Sequence, residues 1–232
     1  MTDHGLMDFD ALHGGGANLG DDGPHLEAAP WELNEPQPLV VELADTFTGP
    51  VLDLGCWVGD NALYLASLGL PVTAVDIAAS AISTARAKAA ARGLSVNFLV
   101  GDATSLSDIG SGFATVLDSA MMHCLSDADR VSYLAAAHRV TAPGARLHIF
   151  CFPDFVAGAF PMPGHLDEPS LRRDIGLLWS IDHMEIRRYT TNLAPSVLRS
   201  LVPNASMELA VDDGQGRSLL PIWHISATRR DA

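Results

Sequence analysis

The run from Pro50 to Gly59, Pro-Val-Leu-Asp-Leu-Gly-Cys-Trp-Val-Gly, constrains this chain more than any other stretch. Its apolar first half reads as a buried strand, and Gly55 and Gly59 read as the turn that hands that strand to a helix. A second apolar stretch, carrying Val72, Ala74 and Val75, ends in an acid at Asp76. Glycines let backbone amides come close to a ligand, and an acid about 20 residues further on can accept both hydroxyls of a ribose. Strand, glycine turn, helix and acid-tipped strand in that order cradle a nucleoside.

The same pattern continues downstream. Leu94 to Val100 is a short apolar run closed by Gly101-Asp102-Ala103, and Phe113 to Leu117 is another, closed by Asp118-Ser119. Together these predict four parallel strands, each delivering polar groups at its C-terminal end, where open α/β sheets bind ligands. Between them the sequence predicts helices over Pro38 to Phe47, Asn61 to Leu68, and Ala81 to Arg92 with Ser80 as N-cap and Gly93 as stop. Beyond them it predicts a helix over Asp127 to Val140, a Pro143-Gly144 turn into a strand over Ala145 to Phe152, and a helix over Leu166 to Trp179. Strands over Ile181 to Tyr189, Met207 to Val211 and Ile222 to Thr228 complete the reading. The expected fold class is α/β: a Rossmann-like, seven-stranded, mainly parallel sheet with an antiparallel last strand and helices on both faces.

Composition narrows the partners. A chain of 232 residues with 48% hydrophobic content buries one large core. The expected organisation is a mobile arm or lid over residues 1–29, rich in Gly, His and Asp, followed by one domain over residues 30–232. A net charge of −14 argues against nucleic acid or an anionic membrane as partner. A small molecule is the expected partner, and the chain the expected monomer or homodimer. No apolar run reaches a membrane span and Met1 to Asp10 lacks a signal-peptide pattern, so the expected location is cytoplasmic. Cys56, Cys124 and Cys151 lack metal-ligand spacing and read as reduced thiols, with no metal expected.

The spacing Asp53-x-Gly55-x-x-x-Gly59 lacks the G-x-G-x-x-G of dinucleotide enzymes and resembles motif I of class I S-adenosylmethionine (SAM) dependent methyltransferases. Trp57 stands where those enzymes commonly carry glycine, which sets an indole where close approach to the methionine part of SAM is expected. A narrower likeness lies in Pro30-Trp31, Glu35-Pro36-Gln37-Pro38, Asp118-Ser119-Ala-Met-Met-His123, and the strand from Trp179 with Arg187 and Tyr189. These are similar to actinobacterial heterocyclic toxin methyltransferases, with the thiopurine-methyltransferase-like leading segment. That family methylates quinolones, hydroxyquinolones and related phenols or quinones. The family's glycine after Trp31 is Asn34 here, and its aromatic-rich N-terminal segment is replaced by the Gly/His arm.

The resemblance implies SAM as cofactor and S-adenosylhomocysteine (SAH) as product. It implies a cofactor site from Trp31, Asp53, Gly55, Cys56, Gly59, Asn61, Asp76, Ile77, Asp102, Ala103, Asp118 and Ser119, with Asp76 on the ribose and Asp102 on the adenine amino group. The expected acceptor site comprises Trp31, Met122, His123, Phe152, Arg187 and Tyr189. Met121, Phe155, Phe160 and Met162 would add apolar lining, and the proline-rich stretch from Pro153 to Pro169 a covering loop. Transfer to oxygen or nitrogen of an aromatic heterocycle or phenol is an in-line displacement that needs mainly placement. His123 is the candidate catalytic residue, either as base toward a protonated hydroxyl or as a positioning group. Trp31 either covers the sulfonium and ring or staples a helix start; Arg187 and Tyr189 either reach the substrate or lie at the surface. Other expectations stay open: an acceptor such as a thiol, a catalytically silent SAM-binding module, and, disfavoured by the missing dinucleotide motif, a nicotinamide oxidoreductase.

Overall fold

The computed structural model describes residues 9–15, 17–18, 25–26, 28–157, 166–201 and 211–231. Eight strands form the main sheet among the described residues, seven of them in one continuous path: β1 (Val51–Leu54), β2 (Val72–Asp76), β3 (Asn97–Val100), β4 (Phe113–Ser119), β5 (Thr141–Cys151), β6 (Trp179–Thr191) and β7 (Ser218–Arg229). Their order is β3-β2-β1-β4-β5-β7-β6. Pairs among β1 to β5 are parallel, with Val51 beside Val72 and Leu54 beside Asp118. β7 inserts antiparallel between β5 and β6, which is the predicted last strand. Of the strand expected over Met207 to Val211, only Val211–Asp212 lies in the described residues, as a short partner of β7.

Side-chain alternation on β1 splits the core in two. Leu52 and Leu54 pack with Tyr133 and Leu134 of α5 (Asp127–Val140), whereas Val51 packs with Leu63 of α3 (Asp60–Ser67) and Ile82 of α4 (Ala79–Arg92). All four residues of β1 are buried, as expected for a strand covered on both faces. α5 starts where its sequence says it should: Ser126 accepts the Asp129 N–H, and acids occupy the first turn.

Four predicted boundaries move. Ser80 does not cap α4; Ala78 is the cap residue, and the Ser80 N–H and hydroxyl instead donate to Asp10 Oδ1 of α1 (Phe9–Gly15) at 2.9 and 2.6 Å. The helix expected over Leu166 to Trp179 is α6 (Glu168–Ile175), capped by Asp167, and Trp179 already belongs to β6. Pro143-Gly144 lies inside β5, where the register with β4 shifts, and α2 (Pro38–Glu42) is shorter than predicted, followed by a 3-10 turn over Ala44–Thr46.

No helix among the described residues is long and apolar enough to cross a membrane. None of their His, Cys, Asp and Glu side chains form a group of three or more arranged to hold a metal ion. Cys56, Cys124 and Cys151 are free thiols, and burial pushes Cys124 up to about 12.

Candidate active site

The glycine turn after β1 keeps its shape by backbone conformation. Gly55 and Gly59 have φ of 70° and 81°, the left-handed region that glycine enters without strain. A Cβ on Gly55 would stand 2.5 Å from Met121, and one on Gly59 would stand 2.7 Å from the Phe98 ring. Both positions therefore need glycine for packing as well as for turning. Gly55 and Cys56 donate their N–H groups to the Val75 carbonyl, which ties the turn to β2.

Two residues that replace glycine do the same backbone work. Trp57 has φ 50° and Asn34 has φ 58°. Such conformations are costly for an indole side chain and milder for asparagine. The Trp57 indole does not fill the turn. Its Nε1–H donates to Glu32 Oε2 at 2.8 Å, and its ring meets Trp31 edge-on at 5.6 Å and His13 at 5.4 Å. Leu12, Ala29, Ala78 and Ala81 close around it. The arm helix α1 and the Trp31 segment thus meet on the one side chain that departs from the motif.

Acids stand at the strand ends as the sequence predicts. Asp76 accepts the Trp57 N–H at 2.7 Å on Oδ2 and the Ala78 N–H at 2.9 Å on Oδ1, which fixes the carboxylate at the tip of β2. Ile77 follows with 58% of its surface exposed at the mouth. Asp102 is half-buried, and its Oδ1 accepts the Thr104 N–H and hydroxyl, both at 2.7 Å; Ala103 lies in the same turn and packs against the core. Asp118 Oδ1 accepts the Met121 and Met122 N–H groups, and the Tyr133 hydroxyl faces the carboxylate. Burial raises Asp118 to about 7.

Asp53 is different. It is enclosed beneath the turn, where the Ala62 N–H is the one donor that acts on it and no side chain among the described residues hydrogen-bonds it. Burial first, then the neighbouring Asp118 and Asp76 carboxylates, raise it to about 8. A buried carboxyl with so few donors around it has acceptor capacity left for a further donor or a cation.

Aromatic and hydroxyl groups gather beside β4 and β5. The His123 and Phe152 rings lie 4.8 Å apart, and Phe152 meets Tyr189 edge-on at 5.9 Å. Ser119 Oγ is 3.2 Å from the Tyr189 hydroxyl. His123 is buried, which lowers it to about 4, and its Nδ1 faces the Phe152 N–H at 3.5 Å. A neutral imidazole accepting at Nδ1 carries its proton on Nε2.

Two expected acceptor-site residues are not brought there. Arg187 shares a strand face with Tyr189, but its guanidinium is bound to both oxygens of Glu42 at 2.6 Å and to Glu185 at 3.1 Å. Met122 is wholly enclosed in the core with Leu54 and Tyr133, and Met121 is the neighbour that touches the turn. The position of the Phe155 side chain, and Phe160, Met162 and residues 158–165 of the expected covering loop, lie outside what is described.

One buried polar residue escaped the sequence reading as a site residue. Gln37 bridges α3 and β6: its N–H donates to Asn61 Oδ1 and its Nε2–H to the Thr190 carbonyl, both at 2.9 Å. Its only advance signal was an amide side chain set between Pro36 and Pro38.

Residues 51–144 match a family model described as a methyltransferase domain. The chain is 34% identical over 170 residues to the 2-heptyl-1-hydroxyquinolin-4(1H)-one methyltransferase of Mycobacteroides abscessus, spanning 70% of this chain and 74% of that protein. It is 38% identical over 112 residues to the demethylmenaquinone methyltransferase of Thermus thermophilus, spanning 47% of this chain and 50% of that one. A solved structure described as the conversion of a disulfide bond into a thioacetal group during echinomycin biosynthesis superposes with a TM-score of 0.75 at 30% identity. That likeness covers 95% of this chain and 91% of the other. Motif, strand order and these likenesses agree: the chain belongs to the class I SAM-dependent methyltransferases.

Proposed function

We propose that this enzyme moves a methyl group from SAM to an oxygen or nitrogen of a small hydroxylated aromatic heterocycle of the hydroxyquinolone or quinone kind. The observation that carries this reading is the aromatic and hydroxyl cluster of His123, Phe152, Tyr189 and Ser119 at the sheet's C-terminal mouth, in a chain similar over most of its length to a hydroxyquinolone methyltransferase. Phe152 offers a ring face and edge for a flat acceptor, and the hydroxyls and His123 offer neutral hydrogen bonds to its oxygen.

The residues fit SAM. The carboxylate of Asp76 keeps lone pairs free beyond the two it uses, enough to accept from ribose hydroxyls. Asp102 and Ala103 flank the adenine side and Ile77 offers an exposed apolar surface to the ring. The buried Asp53 carboxyl, with no side chain among the described residues hydrogen-bonded to it, suits a cationic ligand. When bound, SAM supplies a methyl group already activated on a sulfonium. The chain's own task is then to place the acceptor atom behind that methyl and to exclude water.

Of the two roles open to His123, its surroundings favour positioning. A base works best with a pKa near the working pH, and burial holds this imidazole at about 4. Its Nε2–H is a donor suited to an acceptor's carbonyl or oxyanion. The arm over residues 1–29 we read as a cover, since α1 already rests on Trp57 and on the start of α4.

A second reading, a sulfur acceptor, is favoured by the likeness to the echinomycin structure, whose description concerns disulfide chemistry. Methyl transfer measured on a panel of hydroxyquinolones, phenols, thiols and amines decides between them. Fastest turnover on a hydroxylated aromatic ring is the expected result. Thiols outrunning every aromatic hydroxyl would overturn it in favour of sulfur.

A further inference from the structure

Resting on the proposed use of SAM, we propose that Gln37 is a cofactor-binding residue whose side-chain carbonyl receives the α-ammonium of the methionine portion. Gln37 is 4% exposed, and its Oε1 has no hydrogen-bond partner. The amide cannot turn to hide that oxygen, because Nε2 is committed to the Thr190 carbonyl on β6. The backbone of the same residue holds Asn61, the second residue of α3, one step past the glycine turn's exit at Asp60. Gln37 therefore roofs the junction between the glycine turn and the hydroxyl cluster, and it faces Tyr189, whose hydroxyl lies against Ser119.

The chemistry of that enclosure selects its ligand. The groups that act electrostatically on Tyr189 are Asp118 and Asp53, both acids, and its hydrogen-bonding neighbours are the neutral Ser119 and Gln37. Gln37 Oε1 has no hydrogen-bond partner among the described residues. An anion would find no opposite charge among these groups. A cation carrying several N–H donors would satisfy the free Gln37 Oε1 in surroundings whose charged groups are acids, and a buried acceptor left empty costs about 1–3 kcal/mol. The α-ammonium is the one group of SAM and SAH with that chemistry. Gln37 arrives from the segment ahead of the first strand, so cofactor binding and the placement of that segment are coupled through its bonds to Asn61 and Thr190.

The test is a binding cycle, read by calorimetry without turnover. SAH and its des-amino analogue, which lacks only the α-amino group, are titrated into the parent protein and into Gln37→Met. In the parent, deamination should weaken binding at least tenfold. In Gln37→Met, that penalty should shrink about tenfold, whatever the absolute affinities become, because the ratio isolates the contact. An equal penalty in both proteins overturns the assignment. Should the variant not fold, the parent still decides, since equal affinity for the two ligands overturns it alone. A parent that binds neither ligand would instead sink the SAM reading, a result distinct from either.

Discussion

Asp53, Trp57 and His123 are the residues whose environments carry the account. Asp53 sits buried under the turn and is raised to about 8, so it is protonated in the free protein at neutral pH. A cationic ligand favours its ionised form, so SAM binding should release a proton and tighten as pH rises toward 8. Below that value affinity can climb by up to roughly tenfold per pH unit. Calorimetry in buffers of different ionisation enthalpy measures the proton directly, and Asp53→Asn should reduce both the proton release and the pH dependence, leaving what Asp118 and Asp76 contribute. Binding with no proton exchanged would remove Asp53 from the cofactor site. His123 makes a separate prediction. A positioning donor serves ionised and protonated acceptors alike, so His123→Ala should lower kcat by ~10–100-fold at every pH tested. Recovery of the rate above the acceptor's pKa would restore the base role. Much of this was legible at the residue scale, because the strand-end acids follow the motif. The bearing of Trp57 was not, since a sequence shows an indole in a glycine's place without showing that it takes glycine's φ and points its ring at Glu32.

At the scale of elements, the arm helix α1 is the piece whose removal says most. Asp10 accepts from the N–H and hydroxyl of Ser80 in the first turn of α4, and His13 rests on Trp57, which α4 and the Trp31 segment also cover. Deleting residues 1–25 should therefore leave the sheet intact while costing about 1 kcal/mol for the lost helix-start contact. It should also raise the acceptor KM. Circular dichroism, thermal melting and steady-state kinetics check this together, and full activity in the truncated protein would show that the arm is dispensable. The helix and strand pattern was largely readable, and α5 spans the residues that its apolar spacing predicts, with the Ser126 cap and acidic first turn seen in the structure. Ser80 looks like a cap from its neighbours alone, but its N–H is met by a distant group, Asp10, some 70 residues earlier in sequence. For Arg187 the sequence left two places open, the substrate or the surface, and the structure sets it in an ion pair near the surface. Alternation put it on the face of Tyr189, but only packing could reveal that Glu42 of α2 lies over it.

Across the whole molecule, ionisable groups buried in the sheet set how stability responds to acid. His148 on β5 stacks between Phe47 and His224 of β7, and burial, with His224 and Arg146 adding to it, lowers His148 to about 4. Burial also lowers His224 to about 4. Unfolded chains protonate such groups near 6.5, so the unfolded state binds more protons between pH 6.5 and 4. These histidines therefore draw stability down as pH falls through that window, by up to about 3 kcal/mol for His148. Asp53 and Asp118, raised in the fold, act in the opposite sense. His148→Gln should thus lose less stability than the parent between pH 6.5 and 4 in denaturant titrations. An unchanged difference would mean the ring is already charged. The overall fold and cofactor class were readable in the chain because four strand ends repeat one design. The contacts of Gln37 were not, because Gln37, Asn61 and Thr190 come from distant segments whose meeting depends on the strand order. The most direct measurement is mass spectrometry of a reaction containing the enzyme, SAM and a hydroxyquinolone. A singly methylated product should form in step with one equivalent of SAH, and Asp76→Ala should weaken SAM binding by ~1–3 kcal/mol and slow both together. SAM bound tightly with no methylated product from any small aromatic acceptor would contradict the account.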